Sequence, residues 1–425
     1  MAITLFITFV VFLLIGVPIS IALGLSSMVA VLVQGQMPVM VVVQKIFGGV
    51  SSFTLMAIPF FILAGNIMSE GGVSKRLVDL ADAFLGRVTG GLALVATVAS
   101  TFFGAISGSA PATTAAIGAV MVKPMQEKGY SKDFAAATVA ASGTIGLLIP
   151  PSITMVLYGV TAGVSIGKLF LGGIIPGLLM CVALMGVEYY ISKKNGYHGD
   201  SPVSVKAILE AFKKSILALI MPLIILGGIY GGIFTPTEAA VVAVVYGLLV
   251  GLFAYKQLNF KNIPKIVLDS AKGTAVIMYL VATAHIFSYI LSSEQIPQKL
   301  AEAMLNISKE PTIVLFLIII CVLVAGTFLD NAVAMVLLTP IFYPIIMQIG
   351  IDPIFFGVIM VFALAIGQIT PPVGLCLFIA CNIADISIEK LTKAIIPHLV
   401  ALIILLIILA LFPDIILLIP NSVTM

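Results

Sequence analysis

The chain has 425 residues, 61% of them hydrophobic and only 9% charged. A soluble domain carries about 25% charged residues, so a soluble globular protein is excluded, and a net charge of +3 is too small to argue for nucleic acid. Many apolar runs reach the ~20 residues that cross a bilayer, so the chain reads as an all-α polytopic membrane protein.

A first spanning helix is expected over 3–33, with Gly16-Val17-Pro18-Ile19-Ser20 inside it. No charged segment precedes it and it is long enough to span, which argues against a cleavable signal peptide. The N-terminus is expected to be cytoplasmic. A second helix covers 50–69. Over 74–87, Leu77, Leu80, Ala81, Phe84 and Leu85 share one face, with Lys75, Arg76, Asp79, Asp82 and Arg87 elsewhere. That pattern is an amphipathic helix on the membrane surface. The segments 89–107 and 111–128 flank Gly108-Ser109-Ala110-Pro111. Glycine suits a helix end and proline a first turn. A re-entrant hairpin with its tip at Ser107–Thr114 is expected, with two ordinary spans as the alternative. A broken helix over 133–165, interrupted at 146–152, and a span at 169–191 follow.

The loop 192–214, with Lys193, Lys194, His198, Asp200, Lys206, Lys213 and Lys214, divides the chain into halves. After it come a span at 215–233, then Thr235-Pro236-Thr237-Glu238 opening a helix to 255, then a helix at 272–292. A second amphipathic piece at 296–308 precedes a second hairpin, 311–348, with its tip at Gly326–Asn331. A second broken helix (353–386) and a final span (394–419) end the series. The halves repeat. Gly146, Pro150, Pro151 and Pro176 become Gly367, Pro371, Pro372 and Pro397, each at an offset of 221. The span at 215–233 is expected to have no partner in the first half, to add one crossing and so to invert the second copy. With the N-terminus inside, only Lys45, Lys168, Lys299 and Lys309 of the 21 lysines and arginines face outward, a strong positive-inside bias that also puts the C-terminus outside.

Each copy breaks an apolar helix at a double proline. A Pro-Pro pair removes two backbone donors and disfavours helix before it. In lipid the freed polar groups need partners, and paired breaks of this kind build ion and substrate sites in transporters. Free carbonyls suit Na⁺, and positive helix ends suit an anion. Ser107, Ser109, Thr113 and Thr114 face Gly146, Ile149 and Pro151; Gly326, Thr327, Asp330 and Asn331 face Gly367, Thr370 and Pro372. One Na⁺ is expected at each pair, against the alternative that these small residues only permit tight packing. Asp330 is a mid-membrane carboxylate, with helix capping as its competing role. Glu238 starts a helix, where capping is equally expected. His285 is the one histidine deep within a span; a structural hydrogen bond and proton coupling stay open. The four cysteines lie in apolar segments as packed thiols. No Walker A, His-Glu-x-x-His or Gly-x-Ser-x-Gly pattern occurs, so an enzyme is not expected.

Six motifs in order carry a resemblance across essentially the whole chain: Gly-Val-Pro-Ile-Ser-Ile-Ala-Leu-Gly (16–24), Ile-Pro-Phe-Phe-Ile-Leu-Ala-Gly (58–65), Gly-Ser-Ala-Pro-Ala-Thr (108–113), Leu-Ile-Pro-Pro-Ser (148–152), Phe-Thr-Pro-Thr-Glu-Ala-Ala (234–240) and Ile-Thr-Pro-Pro-Val-Gly (369–374). Together they resemble the large membrane subunit of tripartite ATP-independent periplasmic (TRAP) transporters. The resemblance implies an ion-transporter-superfamily fold of inverted repeats, with a scaffold and an elevator-type transport domain. On that reading the chain divides into 1–88 (scaffold and arm), 89–168 (transport half one), 169–310 (scaffold, loop and second arm), 311–388 (transport half two) and 389–425 (closing helix). It implies Na⁺-coupled uptake of an organic acid across the bacterial inner membrane. Sialic acid is the first expectation and a C4-dicarboxylate the next. Implied partners are a small four-helix membrane subunit and a periplasmic substrate-binding protein. By resemblance Ser107, Ser109, Gly146, Ile149 and Pro151 form the first Na⁺ site; Gly326, Thr327, Gly367, Thr370 and Pro372 the second; and Ser165, Glu238 and Asp330 the substrate region. A stand-alone anion/Na⁺ symporter or Na⁺/H⁺ antiporter is the runner-up.

Overall fold

The computed structural model describes residues 1–35, 37–199 and 204–423; Asp200 of the inter-repeat loop lies outside them. Among the described residues every regular element is helical, and eight helices are long and apolar enough to cross a membrane. The first copy begins with α1 (Ala2–Leu14), α2 (Ile19–Gln34), α3 (Val39–Val50) and α4 (Ala57–Glu70). It continues with α5 (Val73–Leu85), α6 (Gly91–Ser107), α7 (Ala110–Glu127), α8 (Lys132–Gly143), α9 (Ile153–Ala162) and α10 (Ile166–Asn195). The second begins with α11 (Val205–Tyr230), α12 (Pro236–Leu249), α13 (Ile263–Ser293) and α14 (Ile296–Ile307). It ends with α15 (Pro311–Phe328), α16 (Asn331–Gln348), α17 (Pro353–Gly367), α18 (Leu375–Ala384), α19 (Ile388–Leu411) and α20 (Pro413–Ser422).

Both hairpins and both broken helices form where expected. At an offset of 221, α7 and α16 coincide residue for residue. The two arms, α5 and α14, follow their sequence patterns closely. Arm α5 turns its apolar face onto α6 and α11, so protein covers much of what the pattern assigned to lipid.

Four expectations need correction. The helix over 3–33 is two helices, α1 and α2, packed on each other. Gly16 takes φ +82, a left-handed conformation that glycine adopts without strain, and Pro18 cannot continue α1. This moves the N-terminus. The Met1 amino group lies 3.4 Å from Glu294, at the C-terminal end of α13. The other end of α13, around Asn262, borders Asn66 and Glu70 just before α5. Since α13 is about 46 Å long at 1.5 Å per residue, Met1 and α5 sit at opposite ends of the molecule. The expected shared side for the N-terminus and the first arm is therefore overturned.

The span at 215–233 does have a partner. The unit α11–Gly232–Pro236–α12 matches α1–Gly16–Pro18–α2, each turning at a glycine with positive φ. Inversion follows because each copy crosses the membrane an odd number of times. The final span ends at Leu411. Pro413 starts α20, which folds onto α10.

Packing also regroups the helices. α12 lies on α4, and α13 lies on α2, α3 and α4. α10 packs on α6, α17, α19 and α20, and α19 packs on α8. The long helices α10 and α19 thus join the hairpins and broken helices, where 169–310 as scaffold and 389–425 as a separate closing helix were expected. Apolar composition alone does not say which neighbour a helix buries against. The two copies interlock within this group: α9 lies on α16, and α18 lies on α7 and α8.

Candidate functional site

Each site grows from a glycine pair. Gly104 of α6 lies against Gly146, and a Cβ on Gly104 would stand 2.7 Å from the Gly146 Cα. In the second copy a Cβ on Gly367 would stand 2.7 Å from the Gly326 Cα. Helix and break therefore touch backbone to backbone, which only residues without side chains permit.

The breaks follow from local chemistry. After α8 a 3-10 turn at Thr144–Leu147 tightens the chain, and helix resumes at Ile153 with Ser152 accepting the Met155 N–H at 3.3 Å. Among the described residues, no hydrogen bond reaches the carbonyls of Ile149, Pro150 and Pro151. The carbonyls of Ile369, Thr370, Pro371, Pro372 and Val373 are equally free. Both breaks contain a cis Pro-Pro bond, 150–151 and 371–372.

The first hairpin tip meets its break closely. A Cβ on Gly108 would stand 2.5 Å from the Pro151 carbonyl oxygen, and the Ile153 N–H donates to the Gly108 carbonyl at 3.3 Å. Thr113 Oγ1 donates to the Ser109 carbonyl (2.8 Å) and lies 2.9 Å from Ser107 Oγ. A Cβ on Gly146 would meet Thr113 Oγ1 at 2.6 Å and the Ser109 carbonyl at 3.1 Å. Ser107, Ser109, Gly146 and Pro151 thus converge, and Thr113 belongs with them. Ile149 turns its side chain away, against Gly177 of α10; its free carbonyl is what it offers the site. Residues 143–153 are all buried.

The second site is looser. Gly326 and Gly367 touch, but the hydroxyls of Thr327 and Thr370 donate back to their own helices, to the Val324 carbonyl (2.8 Å) and the Ile366 carbonyl (2.7 Å). Pro372 and Val373 are exposed. Asp330 caps α16, accepting the Ala332 N–H at 2.9 Å. At the offset of 221 it stands where Ser109 caps α7. The capping role is therefore present, and the position is equivalent to one in the first site.

The proposed substrate residues are not brought together. Ser165 caps α10 and lines a cleft with Thr54, Phe234 and Pro236. Glu238 closes a capping box with Thr235, accepting its N–H (2.8 Å) and its hydroxyl (2.9 Å), and lines a different cleft that shares Phe234. Asp330 lines neither. His285 lines a third cavity, of about 340 Å³, between α3, α9, α13 and α16. Two contributors were absent from the sequence reading. Thr154 of α9 accepts the Asn331 side-chain N–H at 2.9 Å and ties the copies together. Glu188 of α10 is wholly buried. A lone threonine or glutamate inside a span carries no spacing signal that would have found either.

Two inverted copies, each pressing a re-entrant tip against a proline break with free carbonyls, have the architecture of a membrane permease. The fold is that of the YdaH transporter of Alcanivorax borkumensis, with TM-score 0.65 at 16% identity over 87% of each chain. The particular family follows from sequence. Residues 6–415 match the model of the tripartite ATP-independent periplasmic transporter DctM component, and the chain belongs to that family. It is 42% identical to the C4-dicarboxylate TRAP transporter large permease protein DctM of Pseudomonas aeruginosa, over 94% of both chains. It is 39% identical to the sialic acid TRAP transporter large permease protein SiaM of Vibrio cholerae, over 96% of this chain and 95% of that one. It is 47% identical, over 92% of its length, to the isethionate TRAP transporter permease protein DctMQ of Oleidesulfovibrio alaskensis, and spans 61% of that longer protein. The chain is a TRAP large permease and not an enzyme.

Proposed function

We propose that this permease couples Na⁺ entry to uptake of a small organic anion across the bacterial inner membrane. It works with a small four-helix membrane subunit and a periplasmic binding protein that delivers the anion. The observation that carries the reading is the set of free carbonyls at each break, held against a hairpin tip. Backbone carbonyls replace the hydration shell of a small cation, and oxygen-only sites suit a hard ion such as Na⁺. Ser107, Ser109, Thr113, Gly146, Ile149 and Pro151 hold the first Na⁺. Gly326, Thr327, Gly367, Thr370 and Pro372 hold the second, with Asp330 joining them by its equivalence to Ser109. The helices α6–α10 and α15–α20 move as an elevator body against α1–α4 and α11–α13. The first arm faces the cytoplasm; both chain ends face the periplasm.

The isethionate relative and the C4-dicarboxylate relative of Pseudomonas aeruginosa, at 47% and 42% identity, are more similar to this chain than the sialic acid relative at 39%. That supports a short acid, carboxylate or sulfonate, ahead of sialic acid. The test is uptake into proteoliposomes with the small subunit and the binding protein present. Uptake is expected only with an inward Na⁺ gradient and all three proteins. Equal uptake in K⁺ would refute Na⁺ coupling, and uptake by this chain alone would refute the tripartite arrangement.

A further inference from the structure

Away from both hairpin–break pairs, α10 buries a carboxylate. Glu188 is 0% exposed. One oxygen, Oε1, accepts the Thr97 hydroxyl of α6 at 2.5 Å; the other, Oε2, has no partner. One helical turn further, on the same face, Ser192 is also 0% exposed and its hydroxyl has no partner either. Ser192 is packed against Gly90, whose added Cβ would stand 2.5 Å from the hydroxyl. The next two residues, Lys193 and Lys194, are exposed. Two orphaned oxygens thus lead from a sealed carboxylate toward the wet end of α10.

No cation answers this charge. Among the described residues Glu188 forms no ion pair. Neighbouring α6 and α17 carry no titratable side chain. α8 carries Lys132 and Asp133 at its first turn, α9 carries Tyr158 and α20 carries Asp414. α19 carries Glu389, Lys390, Lys393 and His398, and α10 itself carries Lys168, Cys181, Tyr189 and Tyr190 besides its two exposed lysines. None of them hydrogen-bonds to Glu188. A buried ionised carboxylate without a partner costs several kcal/mol, so a neutral acid is the favoured form. Packing around Ser192 is tight, so the smallest cation fits best.

The structure assigns Glu188 as a proton-binding site of the mobile body, exchanging with water through the Ser192 hydroxyl. Oε2 and the Ser192 hydroxyl do not hydrogen-bond to each other in this conformation, so on release an entering water bridges them: it takes the Oε2 proton and passes one to Ser192 Oγ, which gives its own hydroxyl proton to water beside Lys193; charge balances with no electron transferred. The neutral acid keeps the Thr97 bond, which ties the first hairpin helix to α10. The ionised form draws water into that contact, so protonation sets how firmly hairpin and body move as one.

The test is infrared difference spectroscopy of the full chain in lipid nanodiscs, which reads no transport and is independent of Na⁺ coupling. A protonated-carboxyl C=O band is expected to be lost in Glu188→Gln and to move in Glu188→Asp. In Ser192→Ala the band is expected to stay while its shift in heavy water slows. A band that persists unchanged in both Glu188 variants would overturn the assignment. Loss of the band on adding Na⁺ at constant pH would overturn it in favour of a metal cation. An unchanged exchange rate in Ser192→Ala would overturn the route.

Discussion

Single side chains divide into those that hold the fold and those to which the proposed function gives an ion. Asn331 and Thr154 belong to the first kind: both are buried, and their 2.9 Å hydrogen bond joins α16 to α9. Asn331→Ala leaves the Thr154 hydroxyl without its donor, at a cost of about 1–3 kcal/mol. The thermal unfolding midpoint in detergent is expected to fall accordingly. Glu238 is held by Thr235 in a capping box. Glutamine serves the same capping position, so Glu238→Gln is expected to leave both unfolding midpoint and uptake near wild type. A large loss of uptake with the midpoint unchanged would return Glu238 to the substrate region. Asp330→Asn separates two roles in the same way. Asparagine caps as well as aspartate, so the fold is expected to stand while the Na⁺ concentration for half-maximal uptake rises. An unchanged Na⁺ dependence would remove Asp330 from the second site.

At the scale of elements, the glycine contacts decide how closely a break and a hairpin approach. Gly146 faces backbone and the Thr113 hydroxyl, and Gly367 faces only backbone of Gly326 at closest approach. The Gly326 backbone cannot swing away, and the Thr113 hydroxyl is held by the Ser109 carbonyl. Gly146→Ala and Gly367→Ala are each expected to lower stability by about 1–3 kcal/mol and to abolish Na⁺-dependent uptake. Gly186→Ala on α10 is the control. Nothing lies within 4 Å of its Cβ position, so the change is expected to stabilise the helix by up to about 1 kcal/mol. A stability change of the same sign at all three positions would remove the close-approach argument. The double prolines made these elements legible in sequence, because missing N–H groups are a property of residue type. The partner glycines were less legible. Gly104 and Gly326 miss the 221 offset by one residue, so the repeat alone did not pair them.

For the whole molecule, sidedness is the sharpest consequence. Residues 1–44 contain no charged side chain, so dividing the first helix leaves the tally of lysines and arginines untouched. Charge could not have distinguished one helix from two, and only the Gly16 turn and the Met1–Glu294 pair do so. Single cysteines at Ile3, Lys75 and Lys299, all exposed, are expected to react with an impermeant thiol reagent from different sides. Ile3 is expected to label with Lys299 and against Lys75. Labelling of Ile3 with Lys75 would restore the single first helix. The same distinction applies to how the helices group. Hydropathy marks α10 and α19 as spans, but an apolar stripe does not name the helix it packs against.

What the sequence determined by itself was everything that depends on residue type and spacing: the membrane class, the duplication, the hairpin tips, the proline breaks and the arms. Six ordered motifs also pointed to the family, which the relatives then established. Tertiary structure decided the turn inside the first helix, the membership of α10 and α19, and the separation of Ser165, Glu238 and Asp330. It also showed that Glu188, five residues before the first of two exposed lysines, is sealed from water. The physical reason is common to all four. Helix formation and breakage are local, set by missing donors and hydrophobic period, whereas burial is a relation between helices far apart along the chain.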